Sequence, residues 1–207
     1  MGVAVKEGSY RGVSAEERRA ERRARLIDAA LEVWGADGGP RVTMTRICAE
    51  AGLTERYFYQ SFDDLDAALV AVLERIADEI AERTVDALGS TQGGPTERVR
   101  AAIGAFVQIL TDDPRKGRVA IIEAAALDAL RPRRAELLRQ FVELSAREAR
   151  ELYGPEAWSD AEGQLAATMF IGGVAELVKA WIEGAIEASP EQVVAAATHH
   201  FTMTAHR

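Results

Sequence analysis

The stretch AEAGLTERYFYQSF, from Ala49 to Phe62, crowds Tyr57, Phe58, Tyr59 and Phe62 together in a chain whose aromatic content is only 6%. Small residues lead into Gly52, and Thr54 follows two places later. Glycine tolerates the left-handed backbone that closes a helix, and threonine caps the start of the next. Two short helices joined by such a turn make a helix-turn-helix. Phe58 and Phe62 stand four apart and share one face. They are expected to close a small core with Leu31, Trp34, Ile47 and Leu53, because a unit of roughly fifty residues has few inward positions and each must bury much area. Tyr57 and Tyr59 diverge from that face by about 100°. They are expected outside with Arg56, Gln60 and Ser61, where hydroxyl, guanidinium and amide groups can bond phosphate oxygens and base edges.

Upstream, Ser14 and Glu17 have the spacing of a capping box, and Leu26, Ile27, Ala30, Leu31 and Trp34 recur on one face of a helix. Asp37, Gly38, Gly39 and Pro40 stop it. Thr43 caps a second, short helix with Ile47, Cys48 and Ala51 inside. Downstream, Asp63 or Asp64 caps a long amphipathic helix carrying Leu65, Leu69, Val72, Leu73, Ile76, Ile80, Val85 and Leu88, which ends in the loop Gly89–Pro95. Further helices are read at about Thr96–Leu110, Pro114–Leu127, Pro132–Tyr153, Asp160–Ile186 and Pro190–Ala205, each separated by a local breaker. No alternating strand pattern or internal repeat occurs. The spacing therefore predicts an all-α fold of about nine helices: a disordered arm over 1–13, a helix-turn-helix domain over 14–62, and a larger helical domain over 63–207.

With 207 residues, 48% hydrophobic and 28% charged, the chain has the composition of a globular protein. The net charge of −8 is unevenly placed. Up to Phe62 ten Lys/Arg face nine Asp/Glu, whereas the remainder carries fifteen against twenty-four, so the acidity lies in the second part. No window of about 18 uninterrupted apolar residues occurs, which predicts no membrane span and a cytoplasmic protein. Cys48 is the single cysteine and excludes an internal disulfide or a cysteine zinc cluster. Neighbouring His199 and His200 diverge on a helix and do not chelate one ion readily. No nucleophile elbow, P-loop or dinucleotide fingerprint is present. We therefore expect no catalytic residues, no metal and no cofactor.

The run TMTRICAEAGLTERYFYQSF, Thr43–Phe62, within Leu26–Leu73, resembles the TetR family of transcriptional regulators, with the family's Thr, Ala-Gly, Leu-Thr, Phe-Tyr and Phe landmarks in register. The resemblance implies a homodimeric, ligand-responsive repressor that binds double-stranded DNA at an inverted-repeat operator. It places Thr43 and Thr45 against DNA, opens the recognition helix with Thr54, Glu55, Arg56 and Tyr57, and assigns Tyr59 and Ser61 to phosphate. Two departures stand out. Leu65 occupies the slot of a usual phosphate-binding lysine, behind Asp63 and Asp64, and this shifts weight to Thr43, Arg46, Tyr59 and the N-terminal arginines. Glu55 is an unusual neighbour for phosphate, although a carboxylate accepts from cytosine N4. The run RRAERRAR, Arg18–Arg25, reads either as a solvated face partnered by Glu16, Glu17 and Glu21 or, with Lys6 and Arg11, as phosphate contacts.

In the larger domain the resemblance implies an effector pocket, with Ile103, Phe106, Val107, Leu110, Ile122, Phe141, Trp158, Met169 and Phe170 as candidate lining. Because the sequence shows no buried cluster of charge, a small apolar or aromatic effector is expected rather than a metal or a sugar phosphate. The resemblance also implies a dimer interface of the last two helices, with Gly173, Leu177, Ala180, Trp181, Gly184, Val194, Ala197 and Phe201 as candidates. Glycines inside a helix are kept where another backbone approaches closely. The alternative is a ligand-binding or scaffold protein of the same fold that has lost DNA binding; Leu65, Asp63 and Asp64 are its support.

Overall fold

The computed structural model describes residues 14–37 and 41–206. The expected arm, with Lys6 and Arg11, and the stop at Gly38–Pro40 lie outside the described residues. The chain forms helices α1 (Ala15–Asp37), α2 (Met44–Ala51), α3 (Glu55–Tyr59), α4 (Leu65–Ser90) and α5 (Pro95–Asp112). The short α6 (Pro114–Gly117) and α7 (Ala124–Ala126) flank a π-helical stretch, Arg118–Glu123, and α8 (Arg131–Tyr153), α9 (Asp160–Ile182) and α10 (Pro190–Thr204) complete the chain. No strand occurs among the described residues. Counting Pro114–Ala126 as one interrupted helix gives the nine expected.

Local chemistry sets the boundaries. Glu17 N–H donates to Ser14 Oγ at 3.0 Å and Ser14 N–H to Glu17 Oε2 at 2.6 Å, the reciprocal pair of a capping box. These bonds favour the Glu17 carboxylate and lower its pKa. Thr43 accepts from Arg46 N–H, and Asp64 from Ala67 N–H at 2.8 Å. Thr54 stands at the α3 N-cap but its side chain makes no capping bond. Helix α9 stops at Ile182, four residues before the expected Ile186. Gly184 adopts φ +72°, and Ala185 N–H turns back to the Ala180 carbonyl at 2.8 Å, closing the helix there.

One continuous apolar core runs from α1 through α2, α3 and α4 into the start of α8; it holds Leu26, Leu31, Trp34, Ile47, Phe58, Phe62, Val72, Ile76, Val119, Leu130 and Leu137. Leu65 packs against it, half-buried at the first position of α4. Separate clusters join α5 to α10 through Val107, Val193 and Val194, and α8 to α9 through Val142, Ala146 and Ala167. Ion pairs lace the surface between α1, α4 and α6: Arg75 with Asp28 at 2.6 Å, Lys116 with Glu79 at 2.6 Å, and Arg115 with Glu32. Exposed pairs of this kind contribute under about 1 kcal/mol each, so their effect is to fix register. Arg115 packs so tightly on α1 that a Cβ at Gly35 would stand 2.6 Å from its own Cβ.

Candidate DNA-reading head and effector cavity

Phe58 is fully buried and Phe62 is 5% exposed, their rings 5.5 Å apart. Gly52 closes α2 with φ +61°, and Leu53 N–H donates to the Cys48 carbonyl at 2.9 Å. Turned by these anchors, α3 presents Glu55, Arg56, Tyr59 and Gln60 to solvent, and Tyr59 is 60% exposed. Thr54, and on α2 Thr45 and Arg46, are exposed beside them, with the N-cap Thr43. The expectation for Tyr57 needs correction: it is half-buried, because the Arg22 guanidinium lies 4.8 Å from its ring centroid. Ser61 is half-buried too, and its hydroxyl donates to the Tyr57 carbonyl at 3.1 Å. Thr45 spans the two helices, its hydroxyl donating to Glu55 Oε1 at 3.5 Å, and Arg46 donates to the Arg41 carbonyl at 3.1 Å.

The arginine run fits neither of its two sequence readings in full. Arg19 donates to the Gln60 carbonyl at 2.8 Å, Arg25 to the Ala51 carbonyl at 2.5 Å, and Arg23 stacks 5.0 Å from the Phe62 ring. Positive charge at a helix C-terminus meets the exposed last carbonyls. Four arginines of α1 thus clamp α2 and α3, and the Glu partners expected from spacing alone are not what positions them. Cys48 is buried, and its desolvation, reinforced by the negative charge of Glu55, pushes the thiol pKa up. We expect slow thiol–disulfide exchange at Cys48 at neutral pH in the folded protein and fast exchange in denaturant. Equal rates in both states, measured with a chromogenic disulfide reagent, would contradict its burial.

In the larger domain a cavity of about 220 Å³ lies between α4, α5, the π-helical stretch, α8, α9 and α10. It exceeds the roughly 150 Å³ apolar cavity that accommodates benzene. Ile103, Phe106, Phe141 and Phe170 line it, as the sequence reading placed them. The remaining candidates lie elsewhere. Val107 is buried between α5 and α10, and Leu110 packs at Gly117. Ile122 gives way to Ala120 and Ile121, because the π-helical turn adds a residue and rotates the lining by one position. Trp158 is drawn to the end of α10, its indole donating to the Thr204 carbonyl at 2.9 Å, and Met169 stands outside, 71% exposed. The sequence reading missed the α4 wall of Leu73, Ile76, Ala77 and Ile80, and the polar Arg134, Ser145 and Glu148 on α8.

The candidate dimer residues divide in a similar way. Val194, Ala197 and Phe201 are buried within the single chain, Phe201 edge-on to Phe170 at 5.0 Å, so α10 spends that face on its own subunit. Trp181 is half-buried and donates to the Ala188 carbonyl at 2.9 Å; Leu177 packs on Val107 and Val193; Ala180 is half-buried; Gly184 sits in the exit turn. Gly173 faces open space on an exposed stripe of α9 with Leu165, Met169 and Gly172. Helix α9 is the one helix among the described residues long and apolar enough to cross a membrane by length and composition, and only 17% of that stretch is buried.

Residues 26–72, the helix-turn-helix with the ends of α1 and α4 that carry it, match the profile of the bacterial regulatory proteins of the tetR family. Over these residues the chain is similar to the tetR family. Among sequence relatives, the HTH-type transcriptional activator FasR of Mycolicibacterium smegmatis is 33% identical over 101 residues, 49% of this chain and 46% of that protein. The chain thus spans about half the length of the curated relatives it matches. The tetR-type fold extends over nearly all of it. The fatty acid degradation regulator FadR of Bacillus halodurans superposes with a TM-score of 0.77 at 17% identity, covering 90% of this chain and 97% of that one. A FadR of Bacillus subtilis in complex with stearoyl-CoA gives 0.71 at 19% identity, covering 88% and 97%. Such identities carry the architecture alone.

Proposed function

We propose that the chain acts in the cytoplasm as a homodimeric, sequence-specific DNA-binding repressor released by an apolar effector. The observation that carries the reading is the orientation of α3: burial of Phe58 and Phe62 leaves Arg56, Tyr59 and Gln60 outside on a helix narrow enough for the major groove. Thr43, Thr45, Arg46, Thr54 and Glu55 complete the contact surface. The half-buried Tyr57 and Ser61 position it, although the sequence counted them among the contacts. The divisions 14–62 and 63–207 are taken as the reading head and the effector body.

The second subunit is placed on the exposed face of α9, where Leu165 and Met169 are 69% and 71% exposed and Gly172 and Gly173 let a partner backbone approach, with Met203 of α10 at the side, 67% exposed. Apolar area of this extent stabilises a chain only when covered. Replacing Leu165 and Met169 together by Asp should yield monomers with an intact fold in analytical ultracentrifugation. A dimer that persists at micromolar concentration would displace the interface to another face.

Two reading heads about 34 Å apart fit successive major grooves. Selection from random DNA should return an inverted repeat. A dimer making about six phosphate contacts loses roughly a thousandfold in affinity between about 50 and 200 mM salt. A flat salt response, or Arg56→Ala and Tyr59→Ala proteins that bind as wild type, would favour the scaffold reading, for which the exposed Asp63 and Asp64 beside α3 are the structural support. The effector is placed in the α4–α8 cavity, and the solved relative holding stearoyl-CoA supports an elongated, chain-like ligand. Effector binding favours a conformation in which α4 holds the two heads out of register. In a promoter-reporter assay, deletion of the protein should raise transcription; a fall would reverse the sign.

A further inference from the structure

The lining of the cavity is apolar except along one stripe of α8, where Arg134, Ser145 and Glu148 alternate with Leu138, Phe141 and Leu152 at helical spacing. Thr84, on the facing wall, donates its hydroxyl to the Ile80 carbonyl at 2.7 Å. Glu148 is paired with Arg147 at 3.2 Å. Arg134 differs. Its Nε is buried without a hydrogen-bond partner, and so is Ser145 Oγ. The cations beside it on α8 are both neutralised, Arg131 by Asp128 at 2.5 Å and Arg133 by Glu74 at 2.8 Å. Arg134 alone of the three turns to the cavity, and no carboxylate of the described residues forms an ion pair with it. A guanidinium is charged at any physiological pH, so it cannot escape the cost of partial burial by losing its proton.

The two unpartnered polar groups are far apart. Eleven residues of helix separate Arg134 from Ser145, about 16 Å along the axis. The neutral serine hydroxyl therefore cannot compensate the cation. Between them the walls offer only hydrocarbon, from Leu73 and Ile76 on α4 to Phe106 on α5 and Phe141 on α8.

We infer that the cavity takes an alkyl chain ending in an anion, with the anionic terminus on the Arg134 guanidinium and the chain laid along α8 toward Ser145. This rests on the cavity being the effector site. A planar fork of N–H donors matches a carboxylate or a phosphate oxygen pair, whereas a neutral ester or alcohol leaves the charge unmatched. The shared chemistry is an anion at the end of a chain, and the source is either a free fatty acid or a phosphorylated conjugate.

The test is isothermal titration of the full-length protein with palmitate, hexadecyl phosphate, palmitoyl-CoA, methyl palmitate and hexadecanol. Wild type should bind at least one of the anionic probes about ten- to a hundredfold more tightly than the two neutral ones, the range of a charge-assisted hydrogen bond. Which anion wins identifies the source. Arg134→Gln should erase the difference and Arg134→Lys should keep most of it, with melting curves reporting that each variant is folded. If Arg134→Gln leaves the preference intact, or wild type shows none, the inference is wrong. Ala102→Phe, which fills the cavity from α5, separates the two levels of argument. If it blocks probes that Arg134 changes do not affect, the cavity is the effector site and only the anionic assignment falls. If no probe binds, or Ala102→Phe binds them as wild type does, the placement of the effector falls with it.

Discussion

Phe58→Ala should lower stability by about 3–5 kcal/mol, the cost of truncating a buried aromatic ring and leaving a cavity behind it. For a chain of about this length that corresponds to a melting temperature lower by roughly 6–20 °C. Phe58 is fully buried, and its ring contacts both Phe62 and the edge of Tyr59, the latter at 5.8 Å between centroids. No alternative large side chain stands ready to fill the gap, because α3 is only five residues long and Ile47 and Trp34 are already fully buried. The same core continues through α4 to Leu137 of α8, so the loss should appear in one transition and not as early melting of the head. DNA binding should fail together with stability, unlike in Tyr59→Ala, where only binding should fail. Chemical denaturation followed by tryptophan fluorescence measures the first quantity. A change below about 1 kcal/mol would mean that the site collapses around the missing ring and that Phe58 does not set the position of α3.

The legibility of the chain divides along the same line. From Thr43 to Phe62 the fold is locally determined: a threonine cap, a left-handed glycine and two phenylalanines one helical turn apart fix where α2 and α3 begin, end and face. Sequence spacing is sufficient there. What it could not supply was the work of the α1 arginines, since Arg19 and Arg25 reach carbonyls 41 and 26 residues away, and no periodic pattern encodes a bond to a backbone oxygen. In the larger domain each helix carries apolar residues on more than one face. Periodicity shows that α5 and α10 bury a stripe, but which stripe meets the cavity and which a neighbour depends on crossing geometry. Val107 and Phe106 are adjacent in sequence, yet one joins α10 and the other lines the cavity. The same ambiguity sent Val194, Ala197 and Phe201 to the dimer face, when the subunit's own α5 and α9 cover them. The π-helical turn at Arg118–Glu123 is a further loss, because a single-residue insertion in helical register leaves no mark in hydrophobic spacing.

That π-helical turn joins the cavity to the reading head. Ala120 and Ile121 line the cavity, and three residues before the turn begins at Arg118, Arg115 grips α1 through Glu32 and rests on Gly35. Asp113 holds the same guanidinium with two oxygens, at 2.7 and 2.9 Å, which fixes its direction. Under the proposed switch, a displacement of the cavity wall would reach α1 through this contact, and the arginines of α1 hold α2 and α3. Gly35→Ala should break this transmission. The added methyl would lie 2.6 Å from Arg115 Cβ and 3.4 Å from its Cα, and backbone cannot rotate away as a side-chain tip can. Helix α6 must shift, at a cost of about 1–3 kcal/mol for such overpacking. If the proposed switch is right, an effector that weakens operator binding by about 5–150-fold, the usual range of allosteric coupling, should have almost no such effect in Gly35→Ala, while effector and DNA each still bind alone. Arg115→Ala in the same chain removes the ion pairs but keeps the offending Cβ, so it should not restore the response. Arg115→Gly should relieve the clash and recover part of the stability lost. Operator titrations with and without effector measure the ratio. A ratio in Gly35→Ala equal to that of wild type would show that the signal reaches the reading head through α4 alone, without the α1–α6 contact.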